Sequence, residues 1–338
     1  MRAMSLVCLL ALLGLGAAAV APVACAEEAL DAAGLLKQGD HVFRSRDYES
    51  ATAIYKRAAV LAEKQGAQET LVEALSMAAR GHLIRKQAEQ GQPFLDRAAK
   101  LAKASQPAGW SRYLGVRGRF EWKVEQDRPK ATKTFESMHA YCLQHELWSR
   151  AVDAAHMVAI TGTADQQVAW ALKGIAAAEK GGMDGWLGPL WNNLGNTYQD
   201  RGENEQALEA FLKARHYHWK GTREVPKLVA DWAVGMAYRR VGQYVEAKRW
   251  LRPVLAWAER RYAEKQEPER GEWVGLACME LGLVALKEGR RADARRDLDR
   301  ALPFLEAVKL HEWHPAAWKE LTEARAALAK ETAAGKGR

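Results

Sequence analysis

Apolar positions in this chain recur at helical spacing, and the helical motif itself recurs. Seven times a small residue is followed four positions on by a bulky apolar one, and three further by a small or apolar one. The sets are Ala51/Tyr55/Ala58, Gly91/Leu95/Ala98, Ala131/Phe135/Met138, Ala171/Ile175/Ala178, Ala207/Phe211/Ala214, Ala247/Leu251/Val254 and Ala294/Leu298/Ala301. Offsets of four and three place all three side chains on one face of an α-helix. The last members step by 40, 40, 40, 36, 40 and 47 residues. Recurrence at this length predicts an array of similar helical units, each buried against its neighbours, rather than one core closed on itself. No convincing period-two strand accompanies it, so the expected class is all-α.

The best-formed unit spans residues 188–221. Pro189, Leu190 and Trp191 are expected to open a helix, followed by Leu194-Gly195 and Tyr198. A turn at Asp200-Arg201-Gly202 leads to Ala207, Phe211 and Ala214, with Trp219 near the end. Gly195 would let a partner helix approach closely, Phe211 would fill the space between the two, and Gly202 would let the chain fold back. This order of residues resembles the tetratricopeptide repeat, departing from it only where Trp219 replaces a final proline. The resemblance implies a tetratricopeptide-like α-solenoid, here of about seven helix pairs and a C-terminal capping helix.

Gly39, Gly235 and Gly282 stand 19 residues before Ala58, Val254 and Ala301, as Gly195 does before Ala214. Val234-Gly235 with Tyr238 and Gly242, and Leu281-Gly282 with Gly289, are further clear copies. The units ending near Ala98, Met138 and Ala178 carry Ala79, Arg119 and Ala159 at the glycine position and read as degenerate. Repeats of this family usually run to about 34 residues, so a 40-residue period predicts longer helices or longer loops. Residues 181–188, 221–226 and 265–271 read as inter-unit loops. Residues 316–330 read as the closing helix and 331–338 as a disordered tail.

Residues 1–26 stand apart from this pattern. Arg2, an apolar run over 6–20 and Ala24-Cys25-Ala26 make up a secretory leader cut after Ala26, which predicts export to the periplasm or beyond. An uncleaved anchor helix and a lipidated Cys25 are the alternatives, and either would give membrane contact through this segment alone. The solenoid is then expected over 27–330. Cleavage leaves Cys142 and Cys278, in separate units, expected as two free thiols. The chain of 338 residues is 48% hydrophobic and 27% charged, with a formal net charge of +8. Its basic clusters, Arg290-Arg291 and Arg295-Arg296, alternate with Asp293, Asp297 and Asp299. That mixture predicts solvated ion pairs and argues against a nucleic-acid partner.

Catalytic signatures are missing from the sequence: no G-x-S-x-G elbow, P-loop, Cys-x-x-Cys or dinucleotide fingerprint is present. His311-Glu312-Trp313-His314 has the wrong spacing for a zinc helix, and His216-Tyr217-His218 reads as a helix end whose imidazolium would favour the dipole. No enzyme activity, cofactor or metal is expected. The resemblance implies that first helices of successive units line a concave groove for a protein or peptide partner. Carried onto this chain, groove-facing positions fall on Asn192, Asn196, Gln199 and Asp200, on Trp232, Met236, Arg239 and Arg240, and on Met279, Leu283 and Lys287. Amides, an aromatic anchor and two guanidinium groups suit an extended acidic and apolar peptide. Asn196 resembles one residue of the family's carboxylate clamp, but Val229 and Ala233 stand where its polar partners should be. The expected function is a non-enzymatic interaction scaffold. A self-assembling envelope subunit, or a ligand pocket between repeats using His156 or the 311–314 turn, are the other readings. Mass spectrometry of the exported chain is expected to find Glu27 at the mature N-terminus; retention of residues 1–26, or a lipid on Cys25, would replace the leader reading.

Overall fold

A computed structural model describes residues 31–335; the leader at 1–26 lies outside the described residues. Among these residues the chain is entirely helical, without strands. Fourteen helices form seven antiparallel pairs: α1 (Ala32–Arg44) with α2 (Tyr48–Lys64), α3 (Gln68–Ile84) with α4 (Ala88–Leu101), α5 (Pro107–Lys123) with α6 (Arg128–Gln144), and α7 (Trp148–Thr161) with α8 (Ala164–Lys180). The remaining pairs are α9 (Asp184–Asp200) with α10 (Asn204–Lys220), α11 (Glu224–Arg240) with α12 (Tyr244–Glu264), and α13 (Pro268–Lys287) with α14 (Arg291–Ala307). A short α15 (Leu310–Trp313) and the closing α16 (Pro315–Gly335) follow, the latter running into the segment expected as a tail.

The period is explained by the helices. Most are 17 residues long and joined by three-residue turns, so two helices and two turns make the 40-residue unit. The longer repeat therefore lies in the helices, not in the loops. The 47-residue step reflects α12 and α13, which extend to 21 and 20 residues. The 36-residue step arises because Ala178 lies four residues further along α8 than Ala214 does along α10. All seven triplets lie on second helices. All their side chains are buried except Ala171, which is half-buried.

Local sequence sets these boundaries. The Asp31, Asp47 and Asp127 carboxylates accept from the amides of Gly34, Ser50 and Lys130 at 2.7, 3.1 and 2.9 Å, capping α1, α2 and α6. Gly202, Gly242 and Gly289 close three hairpins in the left-handed region, at φ of 76°, 79° and 75°. Arg46, Lys86 and Gln126 occupy the same slot in the first three pairs, where a Cβ makes that conformation costly. Three expected loops prove shorter than the sequence suggested. α9 begins at Asp184, so Pro189 lies inside it rather than at its start, and Pro226 and Pro268 fall in first turns. A proline near a helix start removes an amide that lacks an intrahelical partner anyway. At Pro189 the burial of Leu187 and Leu190 on the same helix outweighs the lost bond.

Within each pair one contact repeats. A Cβ at Gly195 would stand 2.6 Å from Phe211 Cε1, and one at Gly39 would stand 2.6 Å from Tyr55 Cε1. Gly235 against Leu251 and Gly282 against Leu298 show the same crossing, each at 2.7 Å. The third unit corrects the sequence reading: Gly118, not Arg119, faces Phe135, at 2.7 Å. The turn after α5 is one residue longer than its counterparts, which displaces the register by one.

A continuous core runs from Ala32 to Ala210. Beyond it the interior divides into four clusters, and Trp232 packs against every one of them. Leu321 and Leu328 of α16 close the last apolar face. Cys142 and Cys278 are buried free thiols, and burial pushes both up to about 12. We expect Gly195→Ala to lower unfolding free energy by about 1–3 kcal/mol through overpacking. Gly185→Ala, on the same helix but facing open space, should be neutral or stabilising by less than about 1 kcal/mol. Urea denaturation of the two variants checks the contrast; equal losses would refute the close-approach role.

Candidate functional site

First helices of successive pairs lie side by side, and over the first four pairs their shared face encloses a cavity of about 300 Å³. Helix α1 contributes Asp40, Phe43 and Arg44, α3 contributes Met77 and Arg80, and α5 contributes Ser111, Arg112, Gly115, Val116 and Arg119. Met138 of α6, Ser149, Arg150 and Asp153 of α7, and Trp186 of α9 complete the lining. Small side chains at Ser111 and Gly115 leave room between the helices, and apolar Met77, Val116 and Met138 form the floor.

The charged groups are held in a fixed network. Arg112 grips Asp40 through two bonds of 2.8 and 2.9 Å and donates its Nε to Glu73 at 3.0 Å. Arg150 donates to the same Glu73 oxygen and, at 2.6 Å, to Ser111 Oγ. The Tyr55 hydroxyl, beneath the first crossing, donates to Asp40 at 2.7 Å. Arg119 donates to Asp153 at 2.7 Å and to the Gly115 carbonyl at 2.7 Å. Burial alone would raise the Asp40 carboxyl, but the Arg112 bond and charge hold it below the ordinary carboxylate value. Asp153 is likewise held down against its burial by the charges of Arg119 and Arg80.

Arg80 differs from its neighbours. Its guanidinium lies 5.1 Å from the centre of the Phe43 ring, a cation–π distance. Its buried Nε has no hydrogen-bond acceptor among the described residues. Burial, then the nearby charge of Arg119, lowers it to about 10. His156, beside Asp153 and Arg119, is pushed below its usual value chiefly by burial, which keeps it neutral at pH 7.

The sequence-derived candidates fall elsewhere. Asn192, Asn196 and Asp200 lie on α9, with Asn196 and Asp200 exposed and Asn192 half-buried; Lys287 is exposed at the end of α13. On α11, Met236 is buried and Trp232 is the packing link described above, edge-on to Trp273 with ring centres 6.0 Å apart. Arg239 is 7% exposed and donates to Glu280 and, at 2.9 Å, to Glu320 of α16. Arg240 donates to Glu320 at 3.2 Å. The structure thus brings Arg239 and Arg240 together with the closing helix, whose carboxylate occupies the position expected for an acidic partner.

Sequence reasoning missed the cavity, although the signal was present. Asp40, Arg80 and Arg119 each directly follow a crossing residue: Gly39, Ala79 and Gly118. Glu73 and Arg112 stand seven residues before Arg80 and Arg119, two helical turns on the same face. The rule for groove-facing positions reaches these residues once it is extended into the units read as degenerate. The His311–His314 turn is packed: His311 lies edge-on to Trp318, with ring centres 5.7 Å apart, and Trp313 Nε1 donates to Val308 O. His218 is pushed down by burial and by Arg223, so it is not the imidazolium expected from its place at a helix end. Arg290, Arg296 and Arg300 pair with Glu288, Asp293, Asp297 and Glu259. Among the described residues no group of three His, Cys, Asp or Glu side chains is placed to hold a metal ion, and no helix is long and apolar enough to cross a membrane.

Residues 188–214 match the tetratricopeptide repeat family model. No curated protein sequence matches the chain. Among solved structures, similarity extends to a signal transduction ATPase with a tetratricopeptide repeat sensor from Pyrococcus horikoshii, at 14% identity and a TM-score of 0.66. That match covers 85% of this chain and 44% of the Pyrococcus protein, so this chain spans less than half the length of that relative. The apo form of RapI is similar at 12% identity and a TM-score of 0.66, covering 88% of this chain and 86% of RapI. The C-terminal part of a tetratricopeptide repeat-containing protein from Cytophaga hutchinsonii matches at 11% identity and a TM-score of 0.53, with coverages of 81% and 98%. The fold is accordingly a tetratricopeptide-like α-solenoid.

Two substitutions separate the pairing role from the binding role. Glu73→Gln removes the carboxylate shared by Arg112 and Arg150 and should cost about 2 kcal/mol, below the range for fully buried pairs because this one retains some exposure. Arg80→Met removes a buried Nε–H that has no acceptor among the described residues and should leave the thermal midpoint unchanged or raised. Thermal unfolding of both variants decides; a large loss from Arg80→Met would make that residue a structural one.

Proposed function

We propose that the chain is a non-enzymatic scaffold that holds a protein or peptide partner against the face built by α1, α3, α5 and α7. The observation that carries this reading is the Arg80 cavity: a concave, arginine-rich recess on the inner helices with a buried Nε–H that no described residue accepts. A buried donor without an acceptor costs stability, so its presence is better explained by binding than by folding. The rigid network of Arg112, Asp40, Glu73 and Arg150 supports the reading, because it fixes the recess before a partner arrives and lowers the ordering cost of association.

The rim extends the surface. Trp186 is 38% exposed at the edge of the cavity and supplies the aromatic anchor that the sequence had sought at Trp232. The exposed Asn196, Asp200 and Lys287 continue the inner face toward the C-terminus and form the second part of the proposed contact. The tetratricopeptide-like solenoid supports a binding role, since stacked repeats present extended concave surfaces. An exported location, from the leader-like residues 1–26, belongs to the same proposal.

Crosslinking in the native host, followed by identification of captured proteins, tests the surface. We expect Arg44→Glu combined with Trp186→Ala to reduce partner capture at least tenfold. Val245→Ser, at a 73% exposed position on a second helix, should leave capture unchanged. Equal capture by wild type and the double variant would remove the inner face from the contact.

A further inference from the structure

The cavity has a charge balance that narrows its ligand. Its charged groups are the guanidinium groups of Arg44, Arg80, Arg112, Arg119 and Arg150, set against the carboxylates of Asp40, Glu73 and Asp153. Five positive charges against three negative leave two positive charges over. The three carboxylates are committed to Arg112, Arg119 and Arg150. Arg44 and Arg80 have no carboxylate oxygen within ion-pair distance among the described residues. Neither nearby titrating side chain changes this balance: His156 is neutral, and the Tyr55 hydroxyl is spent on Asp40.

We infer that the recess over Arg80 is a subsite for a phosphoryl dianion. This deepens the scaffold reading and rests on it for the partner that would carry the group. A carboxylate would leave one of the two charges unanswered, whereas a phosphate monoester brings about −1.5 to −2 charges and three acceptor oxygens. Guanidinium groups present paired donors in a rigid fork that matches such oxygens, and Arg80 lies 5.1 Å from the Phe43 ring centre with its Nε–H unspent. The apolar Met77, Val116 and Met138 that share the recess suit the carbon stem of a phosphorylated side chain better than free solvent does. The cation–π contact with Phe43 also restricts Arg80, so less entropy is lost when it binds.

Isothermal titration of the purified chain at fixed ionic strength tests this with three probes: inorganic phosphate, a phosphoserine hexapeptide, and the same peptide with glutamate in place of phosphoserine. The expected result is at least tenfold tighter binding of the phosphopeptide than of the glutamate peptide. Arg80→Met should weaken phosphopeptide binding at least tenfold and Arg44→Gln severalfold, with circular dichroism confirming that both variants remain folded. If inorganic phosphate binds as tightly as the phosphopeptide, the free ion is the ligand; tighter phosphopeptide binding assigns the group to a partner. Either result sustains the phosphoryl assignment. Equal affinity for the glutamate peptide, or unchanged binding by both arginine variants, overturns it. The titration contains no partner protein, so its failure leaves the scaffold reading to the crosslinking experiment, and a failure there leaves the titration intact.

Discussion

Five of the seven described helix pairs cross where a glycine meets a bulky side chain. At Gly39, Gly118, Gly195, Gly235 and Gly282 the approach is so close that a single methyl group would collide with Tyr55, Phe135, Phe211, Leu251 or Leu298. This contact fixes the depth to which two helices interlock, and therefore the direction in which each unit offers its first helix to the next. With such crossings repeated along the chain, first helices accumulate on one face and second helices on the other. The inner face that lines the cavity is a consequence of that repetition.

The same crossing also delivers the chemistry. The residue after each small crossing residue is carried onto the inner face. In the first three units that residue is Asp40, Arg80 or Arg119; in the fifth to seventh it is Asn196, Met236 or Leu283. One backbone device thus gives a charged inner surface at one end of the solenoid and a more apolar one at the other. At the apolar end Trp232 joins four clusters and Glu320 of the closing helix answers Arg239 and Arg240. A buried arginine with two carboxylates is satisfied, and the last units are sealed. At the charged end the buried Arg80 Nε finds no acceptor among the described residues. The inward charges are therefore paired toward the C-terminus of the inner face, while the proposed contact lies toward the N-terminus.

Helix content, the seven pairs, the position of each second helix and the closing helix were all legible in the chain. They depend on side-chain spacing along one helix, which is a local property. The boundaries at Asp184 and the register at Gly118 were not, because a proline was given too much weight in one case and a one-residue difference in turn length shifted the frame in the other. The N-terminal cavity was not read for a related reason. Units with the clearest family pattern were taken as the ones presenting the groove, yet a strong pattern marks good packing, and Trp232, Met236 and Arg239 are used for packing.

Spacing alone determined that this is a stack of helical hairpins, since period and small-residue placement dictate which sides of the helices meet; that first helices make the inner face was what the family resemblance implied. Tertiary structure decided which inward charges remain available. Arg112 finds Asp40 across 72 residues and Arg239 finds Glu320 across 81, pairings between different units that no local pattern encodes. Whether a guanidinium is neutralised or left unsatisfied depends on the distance to a carboxylate brought in by another helix, and only the folded chain sets that distance.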